Sequence, residues 1–174
     1  MTMLEIADLA SPVGPLTLAV RAGRLCALDF ADRWPRRRAA LARRFGRCDM
    51  RAAADPAGVV ARLARYFAGD VEALATIPVD PGGTPFQQKV WHALREIPAG
   101  RTASYGELAR AIGAAGAARA VGAANRSNPV AIVIPCHRVI GADGCLTGYA
   151  GGLHRKRWLL DHEERRIAPA VQAS

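Results

Sequence analysis

The nine residues IPVDPGGTP, Ile77 to Pro85, hold three prolines and two glycines. Each proline fixes φ and removes a backbone donor, and the paired glycines add only freedom, so neither a helix nor a sheet ladder is expected to run through them. The spacing predicts a boundary, with an N-terminal α/β domain over 1–80 and a second domain over 81–174.

Upstream, Leu16, Leu18 and Val20 alternate with small or polar residues, Arg21 to Arg24 turns the chain, and Leu25 to Phe30 is apolar again, which predicts a β-hairpin. Pro35 suits the first turn of a basic helix that stops near Gly46, and Val59, Leu63 and Phe67 fall on one face of another. Downstream, Phe86, Val90, Leu94 and Ile97 mark a helix ending at or before Pro98. Ser104 with Glu107 forms a capping box, Leu108 and Ile112 give the next helix its apolar face, and Gly113 closes it. A third helix fits Gly116 to Arg126, and the closely spaced pair reads as a helix-turn-helix.

The third helix holds Val121 as its one sizeable aliphatic residue, while Ala115, Arg119, Gly122, Ala123 and Arg126 share a side. Small residues between arginines let a backbone approach a DNA groove closely, although close packing between helices uses alanine and glycine equally well. The net charge of +9 agrees with a polyanionic partner. Eight arginines stand against Asp49 between Arg33 and Arg51, and six against Glu96 and Glu107 between Arg95 and Arg138.

With 174 residues, 51% of them hydrophobic, the chain can bury one sizeable core or two small ones. Cys26, Cys48, Cys136 and Cys145 lie 22, 88 and 9 residues apart, a pattern of neither dense disulfides nor zinc pairs. Cys26 and Cys48 are expected in packing, with His92 beyond the linker and no metal. Acidic Glu5 and Asp8 near the start and the lack of a long apolar run predict no secretory signal and no membrane span, which places the protein in the cytoplasm. The tail from Ile167 to Ser174 is expected to fray.

One dipeptide carries chemistry. Ala131 to Ile134 reads as a short buried strand, Pro135 ends it, and Cys136 and His137 follow. A cysteine nucleophile needs a base, and a base needs a carboxylate to fix its tautomer; Asp143, Asp161, Glu163 and Glu164 are all candidates that spacing does not rank. The bland alternative makes Cys136 a small buried hydrophobe and His137 a packing residue. Cys145, in its GADGCL turn, has no clear base beside it.

The segments GTPFQQKVWHALREIPAGRTASYGELARAIG, AARAVGAANRSNPVAIVIPCHRVIG and GYAGGLHRKRWLLDHE closely resemble the O6-alkylguanine-DNA alkyltransferases, most strongly from Gly83 to Glu163. The resemblance implies an RNase H-like N-terminal domain and a mainly helical C-terminal domain with a winged-helix-like helix-turn-helix. It implies irreversible transfer of the O6-alkyl group of guanine, chiefly methyl, and of the O4-methyl of thymine, from double-stranded DNA to Cys136. There is then one reaction per molecule, with no cofactor, no metal, no membrane and no obligate protein partner, beyond clustering along nucleoid DNA.

By the same resemblance, His137 deprotonates Cys136 through a water, Glu163 holds His137, Asn128 braces the turn, and Tyr105 donates to the departing base. Arg119 fills the gap left by the flipped nucleotide, and Arg126 contacts DNA from the same helix together with Ala118, Gly122 and Ala123. Backbone amides near Val139 and Ala150, the wall formed by Tyr149, and Lys156 complete the pocket. Ala150 departs from relatives that carry a serine there, and Lys156 fits a surface lysine equally well. Three rivals stand beside this reading. A non-catalytic alkyltransferase-like protein would lack the cysteine, a cysteine hydrolase would leave Arg119 unexplained, and a nucleoid or transcription protein would bind undamaged duplex tightly.

Overall fold

The computed structural model describes the backbone of residues 1–172 and the side chains of 1–166. The chain divides into two compact units: Met1–Pro81 with Pro129–Ala131, and Gly82–Asn128 with the chain from Ile132 onward.

The first unit is built on a four-stranded sheet of β1 (Thr2–Leu9), β2 (Leu16–Arg21), β3 (Arg24–Phe30) and β4 (Cys48–Ala52), in the order β3-β2-β1-β4. β1, β2 and β3 pair antiparallel, and β4 runs parallel to β1. The hairpin between β2 and β3 turns on Ala22 and Gly23, at φ 48° and 75°. Two positive φ values in a two-residue loop match the twist of the flanking strands. Helix α1 (Trp34–Phe45) starts with Pro35 in its first turn and is capped by Gly46 at φ 72°. It sets Leu41 against Leu4, Ala19, Cys26 and Ala27, with Trp34, Phe45, Cys48 and Met50 packed around them. Helix α2 (Val59–Phe67) buries Val59, Leu63 and Tyr66. The spacing had pointed to Phe67; Tyr66 continues the i, i+4, i+7 stripe instead.

The free edge of β3 carries two isolated parallel bridges, Leu25 with Val79 and Leu28 with Val130. At the first, Leu25 N–H donates to the Pro78 carbonyl at 2.9 Å and the Leu25 carbonyl accepts from Asp80 N–H at 2.9 Å. Arg44 adds a bond to the Asp80 carboxylate at 2.6 Å and one to its carbonyl at 2.7 Å. The start of the Pro/Gly-rich stretch is therefore tied down although it forms no regular element. At the second bridge, Leu28 N–H donates to the Pro129 carbonyl at 3.0 Å and its carbonyl accepts from Ala131 N–H at 2.9 Å.

The second unit holds helices α3 (Pro85–Arg95), α4 (Tyr105–Ala111), α5 (Ala118–Arg126) and α6 (Leu153–Gln172). Two short parallel strands join them, β5 (Ala103–Ser104) and β6 (Val139–Ile140). α3 and α4 both open on complete capping boxes, Thr84 with Gln87 and Ser104 with Glu107, which satisfy backbone donors no intrahelical carbonyl reaches. α4 ends at Gly113, φ 72°, as its sequence predicts, and α5 starts at Ala118 because Gly116 takes φ 87°. Trp91 ties α3 to α5 by donating Nε1–H to the Ala124 carbonyl at 2.8 Å. The tail expected to fray from Ile167 continues α6 to Gln172, and its last two residues lie outside the described residues. No helix among the described residues is long and apolar enough to cross a membrane.

Candidate active site

The apolar run Ala131 to Ile134, expected as a strand, is a buried turn, with only Val130 bridging to a strand. The reason is local: Ile132 takes φ 69°, which no sheet ladder accommodates. Pro135, at φ −83° and ψ 64°, sits at the centre of an inverse γ-turn in which Cys136 N–H donates to the Ile134 carbonyl at 2.8 Å. Asn128 donates Nδ2–H to that same carbonyl at 2.8 Å. Asn125, on the buried side of α5, donates to the Cys136 carbonyl at 3.4 Å. Two asparagines thus fix the turn before and after the thiol, which begins a 3-10 turn, Cys136–Arg138.

Cys136 is a thiol in no disulfide and is 7% exposed. His137 is wholly buried, and its Nε2 lies 2.7 Å from Oε1 of Glu163, also wholly buried, on α6. The other ring nitrogen, Nδ1, is buried with no hydrogen-bond partner. Arg138 grips the same carboxylate, Nε to Oε2 at 3.0 Å and Nη2 to Oε1 at 2.9 Å, and donates Nη1–H to the Ile97 carbonyl at 2.6 Å. Burial alone would push the Glu163 carboxyl up. The charges and hydrogen bonds of His137 and Arg138 outweigh it and hold the group well below the usual carboxylate range.

Of the four carboxylates that spacing left unranked, Glu163 is the one on the imidazole. Arg138 had stood out in the sequence only as one positive charge among many.

Lys156 is not a surface residue. It is wholly buried one turn into α6, with Nζ donating to the Val139 carbonyl at 2.6 Å and the Thr147 carbonyl at 2.8 Å. Burial lowers its pKa, and negative charge on the nearby Cys136 sulfur pulls the other way. The lysine therefore pins β6 to the loop that follows it while placing a cation near the cysteine. Tyr149, half-buried, and Ala150, exposed, lie on that loop.

On α5, Arg119, Ala123 and Arg126 are exposed together, Ala118 is half-buried, and Gly122 is buried. A Cβ at Gly122 would sit 3.8 Å from the ring of Tyr105 and 3.7 Å from the Arg126 guanidinium. One at Gly148 would sit 3.7 Å from the Tyr105 hydroxyl. Tyr105 at the start of α4 thus spans from α5 to the loop carrying Tyr149 and Ala150. Cys26 is buried, and its thiol donates to the Ala19 carbonyl at 3.2 Å. Exposed His92 lies 3.9 Å from Glu96. No group of three or more metal-binding side chains occurs among the described residues.

A thiol, a buried imidazole with one nitrogen on a carboxylate and the other open, and an adjacent lysine are the parts of a cysteine nucleophile with its base. The exposed arginine face of α5 belongs to the same unit. The family model described as 6-O-methylguanine DNA methyltransferase, DNA binding domain, matches residues 85–165, and that of the ribonuclease-like domain matches 7–81. The methylated-DNA--protein-cysteine methyltransferase of Mycobacterium tuberculosis is 47% identical over 171 residues, 97% of this chain and 96% of its own length. That of Shigella flexneri is 55% identical over 111 residues, a match spanning 64% of this chain and 65% of the relative. Among solved structures, Mycobacterium tuberculosis OGT in complex with DNA aligns with a TM-score of 0.78 at 45% identity, covering 93% of this chain and 94% of that one.

Proposed function

The chain belongs to the 6-O-methylguanine DNA methyltransferase family, and from that premise we propose that it repairs alkylated DNA by moving the O6-alkyl group of guanine, chiefly methyl, irreversibly onto Sγ of Cys136. The observation that carries this reading is the buried chain of Cys136, His137 and Glu163, with the carboxylate 2.7 Å from the imidazole.

The thiol proton passes through a water to Nδ1 of His137, while Nε2–H stays on Glu163, which steadies the imidazolium. The thiolate attacks the alkyl carbon; the S–C bond forms as the C–O bond breaks, and the electron pair leaves on guanine. The Tyr105 hydroxyl and the backbone amides of Val139 and Ala150 donate hydrogen bonds where that charge develops. Guanine takes up a proton and is restored; the protein keeps a stable thioether, so each molecule reacts once. Lys156 favours the thiolate, Asn128 holds the turn, and Tyr149 with its neighbouring glycines walls the alkyl pocket. The O4-methyl of thymine is a second substrate of the same chemistry.

Access to the base requires flipping it from the duplex, at a cost of about a few kcal/mol. Arg119 offsets this by filling the gap, Arg126 meets the backbone, and Ala118, Gly122 and Ala123 let α5 come close. α4 and α5 act as a winged-helix-like unit with β5 and β6 as its small sheet, so residues 81–174 bind and react while 1–80 form the companion domain. The protein works on nucleoid DNA in the cytoplasm, alone or clustered along the duplex, without cofactor.

Incubation with an equimolar duplex carrying one O6-methylguanine, followed by peptide mass spectrometry, tests the reading. One methyl on the Cys136 peptide with guanine restored supports it. Binding without an adduct sinks it, as does turnover with an unmodified cysteine.

A further inference from the structure

Glu163 is one buried carboxylate facing two cation-forming groups, and only one of them belongs to the reaction. Its Oε1 meets both Nε2 of His137, at 2.7 Å, and Nη2 of Arg138, at 2.9 Å, while Oε2 accepts from Arg138 Nε at 3.0 Å. A guanidinium is charged at every working pH. A buried carboxylate with only a neutral imidazole beside it would be driven by desolvation toward its protonated form. Once protonated, it would no longer steady an imidazolium.

Resting on the alkyl-transfer reading above, we propose that Arg138 is a positioning residue whose fixed charge keeps Glu163 ionised while His137 is uncharged, leaving the imidazole free to take the thiol proton. The balance is simple. At rest the buried group holds one positive charge on Arg138 and one negative charge on Glu163. When the proton leaves Sγ for Nδ1 of His137, one negative charge on sulfur and one positive charge on imidazole are added, and the sum stays zero. The third donor of Arg138 reaches the Ile97 carbonyl at 2.6 Å, which fixes the fork from the far side so that it cannot swing off the carboxylate.

Other ionisable groups lie near the turn. α3 and α6 pack against Cys136–Arg138. The buried titratable residues of α6 among the described residues are Lys156, His162 and Glu163, and α3 offers half-buried Arg95. Lys156 directs two of its three ammonium hydrogens to the Val139 and Thr147 carbonyls. His162 stacks on Trp158 at 4.7 Å between centroids. His137 and Arg138 both hydrogen-bond to the carboxylate directly.

The test uses the full chain with Arg138→Met, which removes the charge at similar length, and Arg138→Lys, which keeps it without the fork. Two readouts are followed against pH: capture of Cys136 by iodoacetamide without DNA, scored on its tryptic peptide, and single-turnover methyl transfer from an O6-methylguanine duplex. Removing a buried positive charge raises the proton affinity of every group around it, so the acid limb of both profiles moves up in Arg138→Met. The expected move is about one pH unit, a tenfold slower reaction below the limb. In Arg138→Lys the limb stays at the wild-type pH while the plateau falls. An unmoved limb in folded Arg138→Met overturns the proposal, and so does a limb that moves in Arg138→Lys, which decides the case should the methionine variant not fold. If wild type transfers no methyl at all, the repair reading fails, and the iodoacetamide limb still decides the role of Arg138.

Discussion

Oε1 of Glu163 lies 2.7 Å from Nε2 of His137, and neither side chain is exposed to solvent. This contact sets a pH signature for folding. The carboxyl is held below its unfolded value of about 4.3, so its contribution to stability is complete above that value and is lost as pH falls through the folded value. Glu163→Gln is expected to melt lower than wild type at pH 7, by up to the 3–5 kcal/mol or so that breaking a buried pair costs. It is also expected to lose less stability than wild type between about pH 5 and pH 3. Thermal or urea unfolding across that range checks both; parallel profiles for the two proteins would refute the linkage.

Arg119 is exposed on α5. Arg119→Ala should leave stability within about 0.5 kcal/mol and slow methyl transfer from duplex by about tenfold or more, since nothing then compensates the flipped base. Single-stranded substrate pays no such cost and should be hardly affected. Equal loss on both substrates would argue against a gap-filling role.

Gly83 stands at φ 84°, and a Cβ there would come within 2.5 Å of the Trp91 ring. Trp91 is held by its bond to the Ala124 carbonyl, so the ring has little freedom to yield. Gly83→Ala is expected to cost about 2–3 kcal/mol by combining backbone strain with overpacking. Urea midpoints read the loss; an unchanged midpoint would mean that the ring moves aside freely.

The thiols should separate by chemistry. Burial pushes the Cys26 thiol up to about 11, despite the opposing pull of Arg44. At pH 8 only about one thiol in a thousand is then ionised. Exposed Cys145 is also raised, by its hydrogen bond and charge contact with Asp143, yet reagent reaches it directly. Iodoacetamide should therefore label Cys145 long before Cys26 in the native protein. Equal rates at the two positions would show that the first unit opens readily.

Local chemistry was the most legible part of the sequence. The capping box at Ser104, the closing Gly113 and the Leu16–Val20 and Leu25–Phe30 hairpin depend on neighbours in the chain, so their residues announce them. β1 and β4 went unread. β1 mixes Glu5 and Asp8 with apolar residues, and CDMRA has almost no aliphatic pattern; both are strands because of the partners they find. Ala131 to Ile134 misled for the opposite reason, since burial without periodicity suits a packed turn as well as a strand. Within the site, Cys136 and His137 were visible as a dipeptide, but ranking Glu163 from the residues alone needed distances. Arg138 and Asn125 gave no signal, because a positioning arginine and a surface arginine are written with the same letter.

Pro129 to Ala131 belong to the first unit although they lie far beyond the linker in sequence. Leu28 takes both of its outer backbone partners from them. A gene cut between Pro81 and Gly82 would leave the first product without its own last bridging residues, encoded almost fifty codons downstream. The seam suggested by IPVDPGGTP is therefore punctuation within one reading frame, since the first unit draws backbone from both sides of it.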